Sequence, residues 1–477
     1  MTLDERLASV LPSERQVAFQ QLEFYGFIHF TVNTFTDREW GDGTEDPSVF
    51  NPTRLDAKQW VSSLKTAGMK GLILTCKHHD GFCLWPSKYT KHTLAASPYK
   101  QGKGDIVKEV SDACKMVGLK FGVYLSPWDR NCKVYGQGKA YDDFFVNQLT
   151  ELLTEYGPVF SVWFDGACGE GPNGKKQYYD WERYYAKIRE LQPEAVISVC
   201  GPDIRWCGNE AGDTREAEWS VVPERTRDSE IIAERSQQED DSTFRLRKVD
   251  ARDKDLGSRE MLKDEAKLIW YPAEVNTSIR PGWFYHAYED DKVKSLEELL
   301  RIYDNSVGGN ATFLLNVPPT SEGLLHENDV KRLEELGETL KKAFSRNLLN
   351  EATLTAEGDG IEYVREDNYK RYYRGKNTYT EISVHWNEVV TVGRIVLKEN
   401  ILCGQRVESF KVEAELNGEY QEVFRGTVIG YKRIVPLKGI KTDSLRISIL
   451  DSRTEPTLAF LGVYEASQKE RNGDKYI

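Results

Sequence analysis

The chain of 477 residues has no uninterrupted apolar run of about 18 residues, so nothing in it reads as a membrane-spanning helix. Its 8 cysteines form no Cys-x-x-Cys pair and sit mostly in apolar runs, so neither a zinc site built on thiolates nor a disulfide framework is expected. No Gly-x-Gly-x-x-Gly run opens a helix immediately after a strand-like segment, which weighs against a dinucleotide-binding fold. There is no His-x-His and no His-Glu-x-x-His, no internal repeat and no low-complexity tract. Positive charge is in deficit. The net charge of −12 argues against a polyanionic partner such as nucleic acid. The first residues, Met1-Thr2-Leu3-Asp4-Glu5-Arg6, are charged and lack the apolar core of a signal peptide. The compartment is left open: periplasmic or secreted if a leader has been removed, cytoplasmic otherwise.

What remains is a globular chain with 39% hydrophobic and 29% charged residues, long enough to bury a large core. Between residues 25 and 317 short β-like runs alternate with amphipathic stretches. The strand-like runs are 25–30, 71–76, 120–125, 159–164 and 195–200, with later ones near 219–222, 268–270 and 312–317. Apolar spacings of three and four predict helices over 55–66, 105–117, 141–156, 179–191 and 295–306. Such alternation implies a parallel sheet with right-handed crossovers, and about eight units imply a (β/α)8 barrel rather than an open sheet. A further amphipathic helix is expected over 328–344. Beyond residue 353 the texture changes to short alternating runs with an Asn417-Gly418 hairpin signal, which predicts an antiparallel β-sandwich. The expected division is a catalytic barrel over 1–345 and a sandwich over 353–477. Residues 224–265, dense in both charges, read as a long mobile loop over the active face with a short helix near its end.

Barrel chemistry sits at the C-terminal strand ends, and that is where the polar outliers fall. His29 closes the first run, and Lys77-His78-His79-Asp80-Gly81-Phe82 follows the second. Tyr124 and Trp128 end the third. Val162-Trp163-Phe164-Asp165-Gly166 ends the fourth on a carboxylate, and Arg205-Trp206-Cys207-Gly208-Asn209-Glu210-Ala211-Gly212 brings a second one after the fifth. Two carboxylates beside imidazoles and aromatics are the components for cleaving a glycosidic bond. On this pattern Asp165 is the candidate nucleophile, its bland counterpart being a helix cap. Glu210 is the candidate acid/base, with Trp206 supplying apolar surroundings and with Glu218 and Glu274 as rivals. His29, His78 and His79 are candidate sugar-hydroxyl ligands. Trp85, Trp163 and Trp283 offer apolar faces, Trp163 best placed because it points to the same strand face as Asp165. Arg280 is left without a role, and Trp386 is read as core. Adjacent imidazoles leave open a metal-assisted hydrolase using His78, His79 and Asp80, and a catalytically inactive glycan-binding protein would use the same pocket. The preferred reading needs no cofactor and no metal.

The fragments Phe27-Ile28-His29-Phe30, His78-His79-Asp80-Gly81-Phe82, Trp163-Phe164-Asp165-Gly166 and Gly309-Asn310-Ala311-Thr312-Phe313-Leu314-Leu315-Asn316 resemble the α-L-fucosidases of glycoside hydrolase family 29. Gly208-Asn209-Glu210-Ala211 and Ser278-Ile279-Arg280-Pro281-Gly282-Trp283-Phe284-Tyr285-His286 resemble its branch selective for α-1,3 and α-1,4 linkages. The resemblance implies a retaining exo-α-L-fucosidase acting on fucosylated oligosaccharides or glycoconjugates. It implies Asp165 as nucleophile and Glu210 as acid/base, with Glu39, Trp40 and Tyr124 as further sugar contacts. Gly393-Arg394-Ile395-Val396-Leu397 and Gln405-Arg406-Val407-Glu408-Ser409-Phe410 are similar to discoidin-like sandwiches, some of which bind carbohydrate.

Overall fold

A computed structural model describes residues 1–216, 218–236 and 254–467. Eight parallel strands form the first sheet: β1 (Phe24–Ile28), β2 (Gly71–Lys77), β3 (Lys120–Leu125), β4 (Val159–Phe164), β5 (Val196–Val199), β6 (Arg205–Trp206), β7 (Ala273–Ser278) and β8 (Ala311–Asn316). Apart from β5 and β6, each strand pairs with its neighbour in sequence, and β1 pairs with β8. A bridge from Ser198 to Ile204 joins the two remaining edges, so the ring is nearly closed.

Alternation along each strand separates two cores. In β1, Phe24 and Ile28 face outward into the cluster shared with the surrounding helices, whereas Tyr25 and Phe27 face inward with Ile73, Tyr124, Trp163, Val196 and Leu314. The helices bury their apolar stripes in the outer cluster. Ile106–Val117 starts where the Asp105 carboxylate accepts the Lys108 N–H at 2.9 Å and buries Ile106, Val107, Val110, Ala113 and Cys114. All eight cysteines are free thiols. No helix among the described residues is long and apolar enough to cross a membrane.

Two barrel strands differ from expectation. Residues 219–222 and 268–270 do not enter the barrel; Val221–Pro223 and Leu268–Trp270 pair with each other in a separate antiparallel ribbon. The barrel uses Arg205–Trp206 and Ala273–Ser278 instead. Ala273–Ser278 carries Glu274, Asn276 and Ser278, all buried. These polar side chains hide the strand from a search for apolar runs. Within 224–265 the described parts are a turn, the helix Ser229–Ser236 and the short helix Arg259–Leu262. Residues 237–253 of the predicted loop, with Glu239, Asp240, Asp241 and Arg252, lie outside the described residues.

The C-terminal part is an antiparallel set of eight strands between Thr353 and Glu465 around its own buried cluster. Runs that read as separate strands fuse into two long ones, Thr380–Glu399 and Arg433–Ser452. Register shifts after His385 and Val392 let the first bend and pair with strands on both sides. Asn417-Gly418 turns the hairpin between Val407–Leu416 and Glu419–Gly426. Trp386 lies in this core and donates its indole N–H to the Leu348 carbonyl at 2.8 Å.

The two parts are fastened at Glu23, just before β1. Its carboxylate accepts from Tyr431 at 2.8 Å and Lys432 at 2.9 Å, with Lys398 at 3.6 Å and Lys70 at 3.8 Å. Gln405 adds a side-chain oxygen that accepts the Ser220 and Val221 N–H groups.

Candidate active site

Climbing β1 on its inward face passes from Tyr25 through Phe27 to His29, that is, from core to pocket. The pocket at this end of the barrel is lined by Phe27, His29, Glu39, Trp40, His78, His79, Trp163, Asp165, Glu210, Asn276 and Trp283. A larger cavity lies at the opposite ends of β3 and β4, beside Phe19, Phe121 and Phe160, and none of these pocket residues lines it. The chemistry converges on the smaller one.

Asp165 leaves the end of β4 and is about one-fifth exposed. Its Oδ1 accepts the Ala167 N–H at 2.8 Å and its Oδ2 accepts the Tyr124 hydroxyl at 2.9 Å. Burial raises its pKa, while these donors pull it back down. Gly166 is required because a Cβ there would meet the Ser236 hydroxyl at 2.2 Å. The helix Ser229–Ser236 therefore packs directly on the turn that carries the carboxylate.

Glu210 sits on a turn that its own neighbours build. Gly208 and Gly212 adopt φ of 102° and 72°, the left-handed side that only glycine enters freely. Asn209 folds the turn by accepting the Ala211 and Asp213 N–H groups at 3.0 and 3.1 Å. Arg215 holds the Cys207 carbonyl at 2.9 Å. The Glu210 Oε2 then accepts the Trp283 indole N–H at 2.8 Å.

The rivals are occupied elsewhere. Glu218 is fully buried between Arg205 and Arg215; burial would raise its pKa, but the two guanidiniums hold it below the usual value. Glu274 lies beneath the pocket, accepting from Trp163 at 2.7 Å and Tyr25 at 2.5 Å, with burial pushing its pKa up to about 7.

The histidines are kept neutral by burial, His29 lowered to about 4, His79 to about 3, and His78 also well below its ordinary value. His29 Nδ1 pairs with Asn316 at 2.8 Å and His79 Nδ1 with Ser126 at 2.7 Å. Neutral imidazoles both donate and accept, which suits sugar hydroxyls. Glu39 is clamped from the other side: it accepts the Trp283 and Phe284 N–H groups at 2.9 and 3.1 Å and meets His286 Nε2 at 2.9 Å. Burial works against a charged His286, but Glu39 and Asp37 override it and push its pKa up to about 9.

Two candidates do not line the pocket. Tyr124 is fully buried and reaches Asp165 through its hydroxyl. Trp85 is 1% exposed in the outer core and donates its indole N–H to Glu151, so it offers no face to the pocket. The reason is that the chain turns back after Gly81, where Leu84 N–H bonds the Cys76 carbonyl and carries the tryptophan behind β2. Asp80 also faces away, accepting the Phe82 N–H at 2.7 Å and the Thr31 hydroxyl at 3.0 Å. Among the described residues, the group with metal-ligand spacing is instead His78, His79 and Asp165. Trp206 bonds Asn276 at 2.9 Å. Arg280 is a structural clamp, fully buried against Asp329 and paired with Asp290. Phe27 and Asn276 also line the pocket; inward alternation from His29 points to the first, while the second sits on β7, whose polar residues give no apolar run.

The sequence model of the α-L-fucosidase family matches residues 13–343. Alpha-L-fucosidase 1 of Arabidopsis thaliana is 40% identical over 481 residues, covering 98% of this chain and 90% of that protein. A crystal structure of a glycoside hydrolase 29 family member from an unknown rumen bacterium is 39% identical with a TM-score of 0.80, covering 96% of this chain and 78% of that one. The Ruminococcus gnavus GH29 fucosidase, solved in complex with fucose, is 29% identical with a TM-score of 0.83 and covers 97% and 96% of the two chains. Barrel, paired carboxylates in one pocket and kinship over nearly the whole length agree: the chain belongs to the α-L-fucosidases, family 29 of the glycoside hydrolases.

Proposed function

We propose that this α-L-fucosidase is exo-acting and retaining, with Asp165 as nucleophile and Glu210 as acid/base. The observation that carries the reading is that both carboxylates line one pocket in unlike surroundings. Asp165 is met by two hydrogen-bond donors, which favour the ionised form that attacks the anomeric carbon. Glu210 accepts the Trp283 indole N–H, and in the acid/base role it gives a proton to the departing oxygen and then takes one from water. The attack forms the Asp165–fucosyl ester as the glycosidic C–O bond breaks; water then breaks the ester and returns the proton to Glu210. His29, His78, His79, Glu39 and Asn276 supply polar partners for hydroxyls. Phe27, Trp40, Trp163 and Trp283 supply apolar faces for the C5 methyl of a 6-deoxy sugar.

The preferred substrates are α-1,3- and α-1,4-linked fucosides on branched, Lewis-type glycans. The segment 169–177 is pinned by the Trp128 indole to the Glu170 carbonyl at 3.0 Å and the helix Ser229–Ser236 packs on Gly166, and in this reading both crowd the entrance beside Asp165. A branching sugar beside the fucose fills such a space, and its binding energy is then available to the transition state. We assign residues 1–345 to the catalytic barrel and 353–477 to a discoidin-like sandwich. The test is kcat/KM on a Lewis trisaccharide against an α-1,2-linked substrate and an aryl fucoside. Preference for the trisaccharide supports the reading; equal or better cleavage of the other two refutes the linkage preference and leaves the fucosidase standing. Binding without turnover of any of them would mark an inactive glycan-binding protein.

A further inference from the structure

We propose that His78, His79 and Asp165 also form a binding site for a divalent transition-metal cation, zinc foremost, and that an ion bound there competes with the sugar. One ligand atom from each of the three lies within 4.8 Å of the others. Three nitrogen and oxygen donors with an open fourth position are the usual make-up of an accessible zinc site.

The hydrogen bonds around His79 fix which nitrogen is available. The Ser126 hydroxyl donates to the Trp128 carbonyl at 2.6 Å, so its oxygen has to accept from His79 Nδ1 at 2.7 Å. The ring proton is therefore on Nδ1, and Nε2 presents a lone pair 3.8 Å from Asp165 Oδ2. Two acceptors thus face one another with no proton between them. A metal ligand histidine held by its other nitrogen is the arrangement that orients imidazoles in metal sites. His78 adds a second ring 4.1 Å away, 4% exposed, whose Nδ1 is buried without a hydrogen-bond partner. Glu39 and Glu210 line the same pocket and add negative potential. The ion would occupy the gap that sugar hydroxyls fill, hence the competition.

Binding is tested on the full chain by calorimetry with zinc and by visible absorption with cobalt(II). The expected result is one ion per chain, a cobalt spectrum without thiolate charge-transfer bands, and displacement of the ion by fucose. His79→Asn and Asp165→Asn should each weaken binding at least ~10-fold with an unchanged circular dichroism spectrum. With an aryl fucoside, zinc should raise apparent KM at constant kcat, and a chelator should restore the original KM. This kinetic arm rests on the fucosidase reading, whereas the binding arm does not: zinc bound as described to a chain that hydrolyses no fucoside would sink the former alone. Absent binding, thiolate bands pointing to Cys168 or Cys403, unchanged affinity in both variants, metal-stimulated turnover, or inhibition through kcat would each overturn the proposal.

Discussion

Trp283 is tied to two carboxylates at once: its indole N–H bonds Glu210 at 2.8 Å and its main-chain N–H bonds Glu39 at 2.9 Å. Glu39 is in turn held by His286. The orientation of the proposed acid/base thus depends on a segment remote in sequence, following β7. Trp283→Phe keeps the aromatic face and removes only the indole bond. Hydrogen bonds to charged groups contribute about 1.5–3 kcal/mol, so kcat/KM on a natural glycan should fall by roughly 10–150-fold. An aryl fucoside with a good leaving group should lose much less. Equal losses on both substrates would show that Trp283 serves fucose binding rather than Glu210.

Asp165→Asn keeps volume and removes the nucleophile. Turnover should drop by at least ~10³-fold, about 4 kcal/mol of barrier, with thermal stability close to that of the parent. Near-normal kcat in this variant would refute the assignment.

Tyr124 lowers the pKa of Asp165 by donating to it. Tyr124→Phe removes that donor, so the Asp165 pKa rises. Because the ionised form attacks, the acidic limb of the kcat/KM profile on an aryl fucoside should move to higher pH. A limb that stays put or moves down would mean that another group controls it.

Glu23 is held below the usual carboxylate range; burial would raise it, but Lys432, Lys398 and Lys70 outweigh that. The folded pKa is depressed, so this group's stabilisation is fully present above the unfolded value near 4.5 and is lost as pH falls below it. Glu23→Gln should cost about 3–5 kcal/mol near neutral pH, because the buried Lys432 is left without its carboxylate partner. It should also flatten the acid side of the stability curve. Denaturation monitored across pH 3–7 on both proteins checks the two effects together, and an unchanged acid slope would contradict the role given to Glu23.

The parts of the fold that the sequence made legible share a physical cause. β1 to β5 are apolar on both faces because helices cover one and the barrel interior the other, so they stand out as runs. β7 does not, since Glu274, Asn276 and Ser278 turn inward to serve the pocket and its floor. β6 is two residues long and has no pattern to find. At the site, His29, His78, His79 and Asp165 were visible because strand ends are where barrels keep polar groups. Trp85 is the contrary case, because an aromatic near a motif looks the same in sequence whether the chain continues into the pocket or doubles back. Long-range ties such as Trp283 to Glu210 and Gln405 to Ser220 leave no local trace at all.

The central claim is that Asp165 carries the sugar between two displacements. Incubation with an activated 2-deoxy-2-fluoro fucoside, whose second step is slow, followed by peptide mass spectrometry tests it most directly. The account predicts one fluorofucosyl group per chain, attached through an ester to Asp165, with turnover resuming as the label hydrolyses. A label on any other residue, or an unlabelled enzyme whose first-formed product has inverted configuration, would contradict it.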